Sequence, residues 1–305
     1  MTPEKYCEDK VKQSGSSFYY SFLFLDEVKK REIFAIYAFC REIDDIVDNI
    51  QDPTVSQTKL SWWANDFNKC YNNKLSPEHP VNIELKPIIK KYNLDKKIFE
   101  DLLYGMQMDL NKTQYSTVDD LLKYCYCVAG TVGILCVNIF GYSNQKTFEY
   151  AENLANFLQL VNIIRDLQED INKYKRIYIP NNLLNKHNLS HQDLQSIINK
   201  DQSSKSSNKL NNNLLDLISE LIELAENYYN NYKKLISPQD LNNQFSGYIM
   251  GEIYKSLLNK IKKNKNLLLK PNKISIPPIK KLYIAWKTNR YIKKQYNNYL
   301  KTCTQ

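Results

Sequence analysis

Glycine is nearly absent, with seven residues in a chain of 305, and that scarcity removes whole classes of site at once. There is no Gly-rich phosphate loop and no dinucleotide-binding fingerprint, because both need several closely spaced glycines where backbone meets phosphate. Histidine is rarer still, at three, and no Ser-His-Asp arrangement can be placed. The pair Cys125-Tyr126-Cys127 lacks the two-residue spacer of a common zinc knuckle. The seven cysteines are odd in number and show no paired spacing, so they read as free structural thiols in a reducing compartment. No signal peptide is recognised, and no apolar run is predicted to be long enough to cross a membrane.

Strand-type alternation is equally hard to find. Long amphipathic stretches recur instead, as in Leu214 to Leu235 and Phe148 to Ile171, and they predict an all-α chain. Breaks are expected near Pro53, Pro77 to Pro80, Gly141 and Pro180. A Ser/Asn/Lys-rich stretch from Asn199 to Asn213 reads as a mobile surface loop. No linker divides the chain, so a single helical domain over residues 1–305 is expected.

Two acidic clusters stand out against this background, Asp44-Asp45-Ile46-Val47-Asp48 and Asp166-Leu167-Gln168-Glu169-Asp170. Residues four apart stack on one helix face, so Asp44 and Asp48 form one claw and Asp166 and Asp170 another. Acids on a helix usually mark a solvated face. Here the first cluster ends the run Ile33 to Ile43, which is too apolar for an exposed helix. Tyr37, Arg41, Asp44 and Asp48 form one polar stripe, and Gln159, Asn162, Arg165, Asp166, Glu169 and Asp170 repeat the mixture. Four carboxylates facing one cavity repel unless cations neutralise them or some take up protons. Magnesium suits such oxygen donors, and it commonly shares its shell with substrate phosphates. A diphosphate substrate is therefore expected.

The segments Ser16-Ser17-Phe18-Tyr19-Tyr20, Tyr37 to Asp45, Gly105 to Asp109, Tyr124 to Gly133, Leu158 to Asp166 and Arg176 to Pro180 resemble, in order, those of the squalene and phytoene synthase family. The resemblance spans about residues 14–265. It implies an all-α isoprenoid synthase fold and head-to-head joining of two allylic prenyl diphosphates. By resemblance Asp44, Asp48, Asn162, Asp166 and Asp170 would hold several Mg²⁺ ions. Arg41, Gln159 and Arg165 would grip diphosphate, and Tyr37, Arg41, Tyr124 and Arg165 would be catalytic. Ser17, Phe18, Tyr20, Tyr37, Tyr178 and Tyr254 would contact substrate. Because water would quench an allylic cation, the pocket should be long, apolar and aromatic.

Within the family, Phe22-Leu23-Phe24-Leu25, Gly105 to Asp109 and Tyr142 are most similar to bacterial members of the hopanoid route that make presqualene diphosphate from two farnesyl diphosphates. The alternatives are squalene, which would require NADPH, dehydrosqualene, and phytoene from the longer geranylgeranyl diphosphate. Non-catalytic relatives of this fold act as assembly factors with degraded aspartates, whereas both claws are intact here. The product would pass to downstream isoprenoid enzymes.

Charge is concentrated at one end. Residues 253–305 carry fourteen of the 42 Lys and Arg and none of the 33 acids, leaving 28 bases against 33 acids before them. Such a tail is either a solvated helical end or a surface for an anionic partner. Its bases are mixed with Leu, Ile, Tyr and Trp286 and it lacks a nucleic-acid module, so a membrane surface fits better than nucleic acid. The expectation is a cytoplasmic protein with peripheral contact at the inner face of the membrane.

Overall fold

The computed structural model describes residues 1–199, 207–269 and 274–303. Among these residues there is no strand. In chain order the helices are α1 (Pro3–Gln13), α2 (Phe18–Phe22), α3 (Glu27–Asn49), α4 (Pro53–Asn68), α5 (Pro80–Tyr92), α6 (Lys96–Leu110), α7 (Val118–Cys125) and α8 (Thr131–Phe140). They continue as α9 (Lys146–Arg165), α10 (Leu167–Glu169), α11 (Asn181–Lys186), α12 (His191–Asn199), α13 (Ser207–Leu235), α14 (Pro238–Asn243), α15 (Phe245–Lys263) and α16 (Pro278–Cys303). Local chemistry starts and stops them. Asp26 and Asp52 accept hydrogen bonds from the first-turn amides of α3 and α4, and Pro53 fills a position with no amide to satisfy. Gly141, at φ +88°, ends α8 where a side chain would be strained.

Two hydrophobic clusters flank a central space. One gathers Phe39, Phe67, Trp63 and Phe99 from α3, α4 and α6, with α1, α5 and part of α8 around them. The other is built on α9 and α13, whose buried Leu214, Leu217, Leu221, Ala225 and Tyr232 recur at helical spacing. Helix α15 closes against both helices through Gly251. A Cβ there would lie 2.2 Å from the Tyr232 hydroxyl oxygen and 3.2 Å from Leu154 Cδ1, so only glycine admits this approach.

Three expectations need correction. Residues 200–206 of the expected loop from Asn199 to Asn213 lie outside the described residues, but Ser207 onward is α13, where Leu210 and the buried Leu214 pack one turn apart on the core. Packing there outweighs the poor helix propensity of Asn. Secondly, α7, the π-helical turn Tyr126–Gly130 and α8 join as Val118–Phe140, one run long and apolar enough by length and composition to cross a membrane. In its most apolar window 44% of residues are buried within the protein, against α6 and α9 among others. Thirdly, the stretch Phe148 to Ile171 is not one helix. It leaves helical geometry at Asp166 (φ −96°, ψ 8°), and a π-helical turn follows at Asp170–Tyr174.

Candidate active site

The space between the clusters is a cavity of about 650 Å³. Its walls are apolar along much of their length, with Phe22, Ile36, Leu102, Val132, Phe140 and Leu158 among them. At its polar end α3 and the α9–α10 junction face each other, and Asp44, Asp48, Asn162, Asp166 and Asp170 all line it together with Arg41, Gln159 and Arg165. The two claws, separated by more than a hundred residues in sequence, therefore serve one site.

Each claw carries its own arginine. On α3, Arg41 Nη1 lies 2.7 Å from Asp44 Oδ2 and Nη2 lies 2.8 Å from Asp45 Oδ1. Asp45 and Glu42 are also held from outside by Lys10 of α1, at 3.0 and 2.8 Å. On the other side Arg165 donates through Nε to Asp166 Oδ1 at 2.8 Å and through Nη2 to Oδ2. Neighbouring side chains on a regular helix point about 100° apart. The break at Asp166 is what allows this bidentate pairing. Tyr254 of α15 donates to Asn162 Oδ1 at 3.1 Å, and Asn162 Nδ2 donates to Gln159 at 3.3 Å, so the amide is oriented from two directions.

A further network lies beneath the claws. Arg176, buried just after the second π-helical turn, donates to Asp48 Oδ1 at 2.7 Å, to the Val47 carbonyl at 3.2 Å and to the Asp109 carbonyl at 3.2 Å. The Asp109 carboxylate accepts from Tyr124 at 2.9 Å and from Tyr178 at 2.7 Å, and these two rings stack 5.1 Å apart. Burial holds both phenols well above their ordinary pKa, so they donate and do not act as bases. Tyr37 donates to Ser14 at 3.1 Å and packs on Phe18 with ring centres 5.7 Å apart.

The electrostatics show where negative charge is least tolerated. Burial, then the Asp48 charge, pushes the Asp44 carboxyl up to about 7 against the pull of Arg41. Burial and then Asp166 push Asp170 up to about 8. Burial pushes Asp109 up to about 6, although Arg176 and both tyrosines pull it down. Among the described residues no three acids, thiols or imidazoles converge closely enough to hold an ion unaided. The donor set is nonetheless all oxygen, and at two positions the cavity penalises an uncompensated carboxylate. This fits a magnesium ion that shares its ligands with a substrate's phosphate oxygens.

Of the residues expected in the site, Phe18, Tyr37, Tyr124, Tyr178 and Tyr254 line the cavity. Ser17 and Tyr20 are not among the lining residues. The short α2 turns Phe18, Ser21 and Phe22 inward, while Ser17 caps it, its carbonyl accepting from the Tyr20 amide, and Tyr20 faces α16. Ser14 and Ser16 take the hydroxyl positions instead. Asp109 and Arg176 went unassigned on sequence, although each belongs to a segment that carries the resemblance. An acid near the end of α6, directly after the uncharged run Leu102 to Met108, was the available signal.

The family description squalene/phytoene synthase matches residues 11–280. The chain belongs to the squalene/phytoene synthase family. The family is of the prenyltransferase type, and the described residues of this chain form helices and no strand. It is 28% identical over 296 residues to the 15-cis-phytoene synthase of Synechocystis sp., covering 92% of this chain and 83% of that one. It is 32% identical over 194 residues to phytoene synthase 1 of Zea mays, covering 62% of this chain and 47% of the maize protein, so the match spans about half of that relative. A crystal structure of a dehydrosqualene synthase in complex with ligand superposes with a TM-score of 0.79 at 26% identity, covering 96% of this chain and 97% of that one. All seven cysteines are free.

Proposed function

We propose that this protein joins two farnesyl diphosphates head to head, with Mg²⁺, to give presqualene diphosphate and free diphosphate. The observation that carries the reading is the placement of two Asp–Arg clusters at one end of a single apolar cavity. Asp44, Asp48, Asn162, Asp166 and Asp170 would hold the ions jointly with the substrate. Bound magnesium would neutralise charge building on the departing diphosphate oxygens. Arg41 and Arg165, each paired with a carboxylate of its claw, would turn to the diphosphate as it enters. Breaking the C1–O bond leaves an allylic cation, the double bond of the second chain attacks it, and loss of a proton closes the cyclopropane. The apolar walls would exclude water and Tyr37 would offer its ring face to the cation. Tyr124 and Tyr178 would hold Asp109 in place, acting as donors.

A second reading has a specific motive, since the curated relatives named above are phytoene synthases. Geranylgeranyl diphosphate would then be the substrate, with the same site and a longer chain. NADPH would enter only if squalene were the product. The intact claws weigh against a non-catalytic assembly role. We place the reaction in the cytoplasm, with downstream isoprenoid enzymes taking the product.

The deciding experiment incubates purified protein with farnesyl or geranylgeranyl diphosphate and Mg²⁺, with and without NADPH, and identifies lipids by mass spectrometry. A C30 cyclopropyl diphosphate that persists with NADPH is expected. Squalene, dehydrosqualene or a C40 product would move the assignment to a sibling activity. No product from either substrate, from folded protein, would overturn the enzymatic reading.

A further inference from the structure

Helix α16 has two faces of opposite character. Ala285, Thr288, Asn289 and Ile292 are buried at helical spacing, and this stripe seats the helix on α14, α15 and α2. The opposite stripe starts with Ile279, Leu282, Tyr283 and Trp286, which are 81%, 45%, 57% and 48% exposed. It continues through Arg290, Lys293 and Lys294, which line a shallow surface concavity with Asn297 and Lys301. Spacings of three, four and seven residues place all of them along one side of the helix. Arg290 lies over the Trp286 ring at 4.9 Å, where the apolar part meets the basic part.

This face is basic. Helix α16 contains seven Lys and Arg and no Asp or Glu, while residues 1–252 are net negative. Elsewhere the protein pairs its lysines freely, as Lys255 and Lys262 do with Glu226 at 2.7 Å each. Among the described residues, by contrast, Lys280, Lys287, Arg290, Lys293 and Lys294 make no ion pair. A large aromatic, flanking aliphatics and unpaired bases on one helical side suit the boundary between lipid headgroups and acyl chains.

The helix also meets α2. Lys281, on the flank of its first turns, lies 5.3 Å from the centre of the Tyr20 ring. Its ammonium pKa is lowered by burial and then by the charge of Arg165. The first turns of α16 therefore pack against α2, whose other side lines the cavity through Phe18, Ser21 and Phe22.

We propose that the exposed stripe of α16 docks on the surface of an anionic phospholipid bilayer, with Trp286 and its apolar neighbours entering the interface and Arg290, Lys293 and Lys294 facing the headgroups. Docking in this way brings α2, whose inner side lines the cavity, toward the phase in which prenyl lipids dissolve. It goes beyond the reaction proposed above and is read without turnover, so the two stand or fall separately.

The test sediments the full-length protein with vesicles of phosphatidylcholine alone or with about a third phosphatidylglycerol, at low and high salt. Each base near an anionic surface is worth about a fivefold gain in binding, and salt screens it. The expected result is preference for anionic vesicles, lost at high salt, and at least about a tenfold weakening in the triple variant Arg290→Gln, Lys293→Gln, Lys294→Gln. Quenching of Trp fluorescence by brominated lipid should appear in the native chain and vanish in Trp286→Phe. All these residues are exposed, and far-ultraviolet circular dichroism of the variants will verify that they fold. Equal binding to neutral and anionic vesicles, no binding to either, or unchanged binding by the triple variant would overturn the proposal. So would tighter binding to an oligonucleotide than to anionic vesicles at the same salt.

Discussion

Arg176 Nη1 lies 2.7 Å from Asp48 Oδ1, joining residues 128 positions apart and fastening the segment after α10 to the first claw. Both side chains are largely buried, and the same guanidinium also serves two backbone carbonyls. Removing one member of a buried pair leaves the other charged and unpaired, which costs about 3 to 5 kcal/mol. Arg176→Gln is therefore expected to lower unfolding stability in urea by about that amount and to reduce turnover. A variant as stable as the native chain would show that Asp48 and Asp109 find other partners.

The claws themselves give a different signature. Asp44→Asn or Asp166→Asn is expected to reduce Mg²⁺-dependent condensation by at least about a hundredfold, since these carboxylates would hold the Mg²⁺ that neutralises the leaving group's charge. Stability should hold or improve at Asp44, where burial and Asp48 already disfavour the charged form. Turnover and thermal melting on the same samples separate the two effects. Retained activity would remove these aspartates from the metal site.

Asp109 predicts a pH dependence of stability. Its folded pKa of about 6 lies above the ordinary value of 3.8, so between those limits the folded chain binds more protons than the unfolded one. The sign follows: this contribution is fully present below about pH 4 and is lost as pH rises through about 6, and a shift of two pKa units is worth about 3 kcal/mol. Asp109→Asn keeps an acceptor oxygen for one of the two tyrosines, presents its NH2 to the hydroxyl of the other, and cannot titrate. Urea unfolding at several pH values from about 4 to 7 should show the variant gaining on the native chain as pH rises. A constant difference between the two would remove the titration from Asp109.

Gly251 and Tyr232 make a steric prediction. Gly251→Ala places a methyl 2.2 Å from the Tyr232 hydroxyl oxygen and is expected to cost about 1 to 3 kcal/mol. The Tyr232 hydroxyl is buried without a hydrogen-bond partner among the described residues. Tyr232→Phe should therefore be neutral or stabilising alone and should recover part of the Gly251→Ala loss. Additive effects in the double variant, measured by thermal melting, would rule out this contact as the cause.

Much of this protein was legible from local spacing. Four-residue intervals between aspartates predict claws because a helix repeats every 3.6 residues, and Tyr37, Arg41, Asp44 and Asp48 do share a wall of the cavity. The all-helical character follows in the same way from apolar periodicity. Family resemblance located the segment containing Arg176 but assigned it no partner, because a salt bridge across 128 positions depends on how α3 and the α10 segment are packed and leaves no periodic trace.

The sequence by itself determined the helices, the chemistry of the two acidic clusters and the basic character of the last segment. Only the tertiary structure decided that Asp166 breaks its helix, that Ser17 and Tyr20 turn away while Ser14 and Ser16 line the cavity, and that Asp109 anchors two tyrosines beneath the claws. The division has one physical reason. Backbone periodicity and side-chain chemistry are local properties, whereas the partner of a buried charge and the direction of a side chain at a helix end are set by whichever distant surfaces pack against them.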